Sequence, residues 1–324
     1  MDLPICENLL SAVKKGRMRS VILYVDEERQ KILVDAKGRT AIHLALKWPD
    51  ILEYILPKML EYVNTKDHNG DTPLHYIPLF DIRCCEILFK YAGDKIDLNV
   101  RNLEGETPLF RSINISNNPE YALYLISKGA DINIPNNELE TPLHISAMFE
   151  NLEPFKTLVL LNAKNTLNKR GEDVLYYAFN HEAEREKFLY ILENEEKIGL
   201  DQVNIEYKGG NNILHIAVHG TPFIFKKLSK KNLEKNVNKR NFLGQTPLHV
   251  LMESVAFYGC KLEHEENCIE IIKYLIEYGV DSSIRDFQSE NYPNGRTPAE
   301  CMNPEQESSV RITKFLNEWQ ELPS

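Results

Sequence analysis

The chain has 324 residues, 43% of them hydrophobic and 27% charged, and a formal net charge of −10. Those fractions exclude a disordered tail, and the acidic balance argues against a general nucleic-acid binder. No apolar run reaches the ~20 residues of a membrane span, the first residues lack the basic start and apolar core of a secretory signal, and six irregularly spaced cysteines fit reduced thiols in a cytosol.

Residues 7–29 read as two short amphipathic helices. Leu9, Leu10 and Val13 share one face of the first, Lys15-Gly16 breaks it, and Val21, Ile22, Leu23 and Val25 belong to the second. Next comes Gly38-Arg39-Thr40-Ala41-Ile42-His43. Its skeleton returns as Gly70-Asp71-Thr72-Pro73-Leu74-His75, as Leu139-Glu140-Thr141-Pro142-Leu143-His144 and as Gly244-Gln245-Thr246-Pro247-Leu248-His249. With the threonine position as marker, the series is Thr40, Thr72, Thr107, Thr141, Asp173, Asn212, Thr246 and Thr297. The intervals are 32, 35, 34, 32, 39, 34 and 51.

Each motif position has a physical reading. Glycine permits the positive φ of a tight turn, and threonine caps the helix that follows. Asp173 and Asn212 can cap as well. Proline in the first helical turn loses no intrahelical bond. His43, His75, His144, His215 and His249 recur at one position, so they read as structural hydrogen-bonding groups between neighbours rather than as a converging catalytic or metal set. Pro49, Pro78, Pro119, Pro154 and Pro222 fall between the two helices of their repeats. Gly129 and Gly279, with Asn162 at the corresponding place, sit where a helix end wants a left-handed residue.

The period, near 33, and the Thr-Pro-Leu-His string make the chain similar to the ankyrin-repeat family. The resemblance covers nearly the whole chain, strongly at Thr40, Thr72, Thr107, Thr141 and Thr246 and weakly at Asp173, Asn212 and Thr297. It implies an all-α solenoid of stacked helix-turn-helix repeats, about eight of them, with short projecting β-hairpins. The expected layout is one array over 1–324: a capping unit at 1–34, repeats over 35–286 and a capping repeat at 295–324, closed by an amphipathic helix from Ser308 to Glu321. The stretches Tyr62-Val63-Asn64, Leu98-Asn99-Val100, Val203-Asn204-Ile205 and Val237-Asn238 read as first arms of the hairpins.

Irregular spacing marks where specificity is expected. Extra residues at Glu193–Asp201 suggest a longer second helix, and two insertions, at 256–267 and 287–294, suggest loops on a binding face. Lys226, Lys227, Lys230, Lys231, Lys235, Lys239 and Arg240 form a basic cluster beside acids within 182–201, read either as two solvated faces that pair with each other or as a basic patch for an acidic partner or an anionic lipid head group. No phosphate-binding loop, zinc-protease helix or nucleophile elbow appears, so no catalytic residue and no cofactor or metal is assigned. The alternative is an enzyme or zinc-dependent protein with its site in 256–294, where Cys260, His264 and Cys268 have the spacing of one helical stripe. The favoured expectation is a monomeric, cytoplasmic protein-interaction module, an adaptor or a competitor, with a protein partner, no nucleic acid and no membrane span. By resemblance, such a module also includes effectors that intracellular bacteria deliver into the host cytoplasm. Hairpin tips need no hydrophobes for folding, so Leu103, Tyr207, Phe242, Leu243, Phe287 and Tyr292 are the candidate partner contacts. Leu125, Asp131, Ile132 and Asn133 match the family's asparagine-hydroxylation pattern, which makes Asn133 a modification candidate.

Overall fold

The structure, a computed structural model, describes residues 8–28, 33–115, 119–149, 151–180, 185–199, 206–219, 222–258, 262–287, 294–302 and 307–320. Its regular elements are helices, and contacts divide the chain into two compact units, Met1–Thr166 and Leu167–Ser324.

In the first unit the helices Leu9–Lys14 and Met18–Glu28 precede the first motif. Val21 and Val25, four apart, are buried, whereas Ile22 and Leu23 are exposed, so the apolar face of the second helix is narrower than the run of four suggests. Helix pairs follow: Ala41–Ala45 with Pro49–Ile55, Pro73–Tyr76 with Ile82–Ala92, Pro108–Ile115 with Glu120–Ser127, and Pro142–Ser146 with Leu152–Leu160. Proline starts or precedes several of these helices, where the amide it lacks would have had no intrahelical partner. Pro154 lies in the first turn of its helix rather than between helices, at no greater cost, because that amide too is an orphan. Asn162 takes φ +59° at a helix end, as its short polar side chain allows. Ile42, Leu52, Leu88, Phe110 and Phe155 fill the core with 1% of their surface or less exposed.

In the second unit the pairs are Val174–Asn180 with Arg185–Glu193, Ile213–Ala217 with Lys230–Asn236, and Pro247–Tyr258 with Leu262–Glu277. The added residues near 193–201 make a further short helix, Glu195–Ile198. Of the insertion at 256–267, the described residues 256–258 and 262–267 are helical. Its ends extend the flanking helices to 12 and 16 residues, among the longest of the chain. The run Leu262-Glu263-His264-Glu265-Glu266 is rich in good helix formers, so continuing the helix is easier than breaking it. The helix Glu307–Gln320 buries Ile312 and Leu316, four apart, as expected of a closing amphipathic helix.

The expected β-hairpins are corrected. Among the described residues there is no strand, only an isolated bridge between Tyr207 and Asn211. Each projection has a single rung: Asp67 N–H donates to the Asp71 carbonyl, Asn102 to Glu106 and Asn241 to Gln245, each at 2.9 Å. The next residue is already the N-cap of a helix, so the arm has no room for a second rung.

The motif histidines tie repeats together inside each unit. At Thr72 the backbone N–H donates to His75 Nδ1 (3.1 Å) and the hydroxyl lies 2.9 Å from the same nitrogen. An atom that accepts from an amide carries no proton, so the proton sits on Nε2. His75 Nε2 then donates to the Glu106 carbonyl of the next repeat (3.1 Å). His43 reaches the Asp71 carbonyl in the same way, His215 that of Gln245 and His249 that of Arg296. His144 departs from the pattern and meets the carbonyl of Thr166. Caps vary as the sequence suggests: Asn212 Oδ1 accepts from Leu214 and His215 amides, and Asp173 Oδ1 from Tyr176.

Burial holds these imidazoles neutral, pulling His75 and His215 from the ordinary 6.5 down to about 4 and lowering His43 and His249. Between pH 6.5 and about 4 the unfolded chain therefore binds more protons than the folded one. The contribution is complete above the unfolded value and is lost as pH falls through this window. The shifts of His75 and His215 are each worth on the order of 3 kcal/mol. The melting temperature should fall steadily on acidification across that window. His75→Asn should be less stable at pH 7.5 yet show a shallower pH slope; an unchanged slope would remove His75 from this role.

Two turn positions give a second prediction. Gly244 has φ +76°, and a Cβ there would lie 2.6 Å from the Phe287 backbone nitrogen. Leu139 occupies the same motif position at φ +61°, a conformation that costs a side chain ~1–2 kcal/mol. Gly244→Ala should lower the urea midpoint by the equivalent of ~2 kcal/mol or more, whereas Leu139→Gly should hold or raise it.

Candidate functional site

The projections are built on an Asp or Asn three residues before the turn glycine. Asn241 Oδ1 accepts from the amides of Leu243 and Gln245, both at 3.0 Å; Asn102 Oδ1 does the same for Glu104 and Glu106, and Asp67, Asn136 and Asn168 repeat the pattern. The two residues after this Asp or Asn form the tip. Tips are linked through the backbone: Leu103 N–H donates to the Asn69 carbonyl (2.9 Å), Asn137 to Glu104 (2.9 Å), Phe242 to Gly209 (2.7 Å) and Phe287 to Leu243 (3.0 Å). The main chain of these tips is thus fixed by a neighbour, and their side chains are left over.

Of the candidate contacts, Leu103 is 71% exposed, Phe242 72%, Leu243 66% and Phe287 56%. The two phenyl rings are not adrift. Phe242 lies over Gly210 and Phe287 over Gly244, where any Cβ would overlap the ring. Arg240 stands 5.2 Å from the centre of the Phe287 ring. Tyr292 lies outside the described residues.

Tyr207 is a correction. It is 3% exposed, and its hydroxyl donates to Asp173 Oδ1 at 3.1 Å. The amide of Gly210, not of Gly209, bonds back to the Tyr207 carbonyl, so Tyr207 holds the Asp/Asn position and the tip is Lys208-Gly209. Counting two residues back from the cap Asn212 gives that register. A buried phenol stands where the other turns have a carboxylate or amide, and burial raises its pKa well above the usual range.

Leu139 is a residue that tip reasoning missed. It is 46% exposed and keeps positive φ where other repeats have glycine. The signal was a leucine in the glycine slot of an otherwise intact motif. Asn133 is half-buried. Its Oδ1 accepts from the amide of Lys164 (2.8 Å) in the next repeat, as Asn64 does from Asp97, Asn99 from Asp131 and Asn238 from Asp281. The described stretches read as strand arms are therefore asparagine staples, and Val203-Asn204-Ile205 lies outside the described residues.

Of the alternative metal set, Cys260 and the side chain of His264 lie outside the described residues, and Cys268 is half-buried. Cys84 and Cys85 are fully buried, and burial raises their thiols to about 11 and 12. Glu253, Asp286 and Cys301 come within 4.8 Å of one another. The Arg296 guanidinium already donates to both carboxylates there, and burial holds the Cys301 thiol protonated, up to about 12. This cluster has its cation built in. Among the described residues of the basic cluster, Lys226 meets Glu270, Lys230 meets Glu234 and Lys239 meets Glu206; the side chains of Glu182, Glu184, Glu186, Glu195 and Asp201, to which the expected pairing points, lie outside the described residues.

Among the described residues no helix is long and apolar enough to cross a membrane. Residues 63–136 and 80–169 match the family model described as ankyrin repeats. The chain is 26% identical to a putative ankyrin repeat protein of Acanthamoeba polyphaga mimivirus, over 72% of this chain and 31% of that protein. It is 28% identical to the phosphocholine transferase AnkX of Legionella pneumophila, over 62% and 21%, and 29% identical to NF-kappa-B inhibitor alpha of Gallus gallus, over 30% and 34%. The chain thus covers about a third or less of the length of each relative. With helix pairs opened by a Thr-Pro-Leu-His cap and tied by its histidine, the chain belongs to the ankyrin-repeat family.

Proposed function

We propose that the chain is a non-enzymatic adaptor or competitor that holds a protein partner against its turn tips. One observation carries the reading. The polar motif residues are consumed by bonds inside and between repeats, whereas Leu103, Phe242, Leu243 and Phe287 stay more than half exposed at tips whose backbone is already satisfied. Large apolar groups on rigid supports are what interface anchors are made of. Leu139 joins them in this proposal, because backbone strain is retained where something other than folding maintains it.

The finer readings rest on likeness. A role as an effector in a host cytoplasm draws on the similarity to AnkX, and a role as a competitor draws on that to NF-kappa-B inhibitor alpha. Transferase activity is not part of the proposal, since the chain covers 21% of AnkX. Asn133 is proposed as a hydroxylation substrate, with the consequence that an enzyme must first release its bond to Lys164.

The test is capture of partners by the intact chain, quantified against the double variant Phe242→Ala, Leu243→Ala. The expected result is at least a ~10-fold loss of the specific partner, with a melting temperature within about 2 °C of the parent. A fall of many degrees would make these residues structural and sink the reading.

A further inference from the structure

We infer that the tips of the second unit are a docking site for an acidic peptide segment carrying bulky apolar side chains. The inference rests on the tip reading above and adds the partner's chemistry. Phe242, Leu243 and Phe287 form one row, held by the bonds from Phe242 N–H to Gly209 and from Phe287 N–H to Leu243. Each phenyl ring turns one side to a glycine and leaves the rest open, at 72% and 56% exposure. Such a row offers apolar purchase without needing to rearrange.

The charges around the row favour an anion. The segment Lys239–Gln245 holds Lys239 and Arg240 and no acid. Lys239 is engaged by Glu206. Arg240 is not neutralised: its guanidinium donates to the carbonyls of Gly244 and Arg285 while it stands over the Phe287 ring. Those acceptors are neutral, so the charge persists beside the ring. Lys208, at the preceding tip, is exposed, and among the described residues neither it nor Arg240 has a carboxylate partner. Turn 136–140 of the first unit is the reverse, with Glu138 and Glu140 and no base. In a chain of net charge −10, a tip row that is apolar and locally basic selects acidic over basic partners. Two cations without a carboxylate partner, Lys208 and Arg240, are too few to follow a phosphate backbone, and they suit a carboxylate-bearing peptide better.

The experiment is selection of random twelve-residue peptides on the intact chain, repeated on Arg240→Gln, Lys208→Glu and Phe242→Ala. All variants are first checked for unchanged melting; Lys208→Glu, at an exposed tip, serves where Arg240→Gln unfolds. Synthetic copies of the enriched peptides are then measured by fluorescence polarisation. Expected are sequences rich in Asp or Glu with Phe, Trp or Leu, weakened about 10-fold by Arg240→Gln and by Phe242→Ala and weakened by added salt. Enrichment of basic or uncharged apolar peptides, lost in Phe242→Ala but indifferent to both charge variants, would overturn the acidic specificity and leave tip binding standing. Enrichment indifferent to Phe242→Ala, or none at all, would overturn this inference, and partner capture unaffected by the tip variants would overturn the reading beneath it. Capture by vesicles containing 30% phosphatidylserine, lost in Arg240→Gln, would overturn the peptide in favour of a lipid surface.

Discussion

A single carbonyl carries the register of four repeat boundaries. It belongs to the residue just before the helix cap: Asp71, Glu106, Gln245 and Arg296. Each of these oxygens accepts twice, once from the Asp or Asn amide of its own turn and once from histidine Nε2 of the preceding repeat. A carbonyl has two lone pairs, so the arrangement fills it without competition. Moving either element would leave a buried donor unsatisfied, at ~1–3 kcal/mol. The constraint also demands a neutral imidazole with a defined tautomer, which burial enforces.

That device was legible in sequence because it needs side chains of fixed type at fixed spacing. Glycine, threonine, proline and histidine each answer a backbone requirement, and backbone requirements repeat. Substitutions were readable for the same reason: Asp173 and Asn212 cap as threonine would. The last motif goes further, with Glu300 accepting from the Thr297 amide in the place of a histidine nitrogen, which lowers its carboxyl.

What was not legible depends on register and on choices between near-equal local structures. Tyr207 looked like a tip residue because two glycines follow it, and only the bond from Gly210 N–H separates the alternatives. The short apolar-Asn stretches alternate like strands, yet Asn64, Asn99, Asn133 and Asn238 turn their amides to the next repeat instead of pairing along an arm. The insertion at 256–267 has polar text that suits a loop or the exposed face of a helix. Its neighbours continue the helix from both sides, and a partly formed helix extends more cheaply than a new one starts. At the candidate site, four of six expected contacts lie at exposed places, one is core and one is outside the described residues.

The backbone bonds between tips have a consequence for mutational drift. Because the amide of Phe242 is satisfied by Gly209 and that of Phe287 by Leu243, whatever side chain stands at those positions, the frame does not depend on its identity. A substitution there alters what the surface can recognise while leaving the cap, the staple and the core untouched. Most surface changes away from special features cost no more than ~0.5 kcal/mol. Recognition and folding are therefore written in separate alphabets at adjacent residues, and a lineage could revise one without first repairing the other.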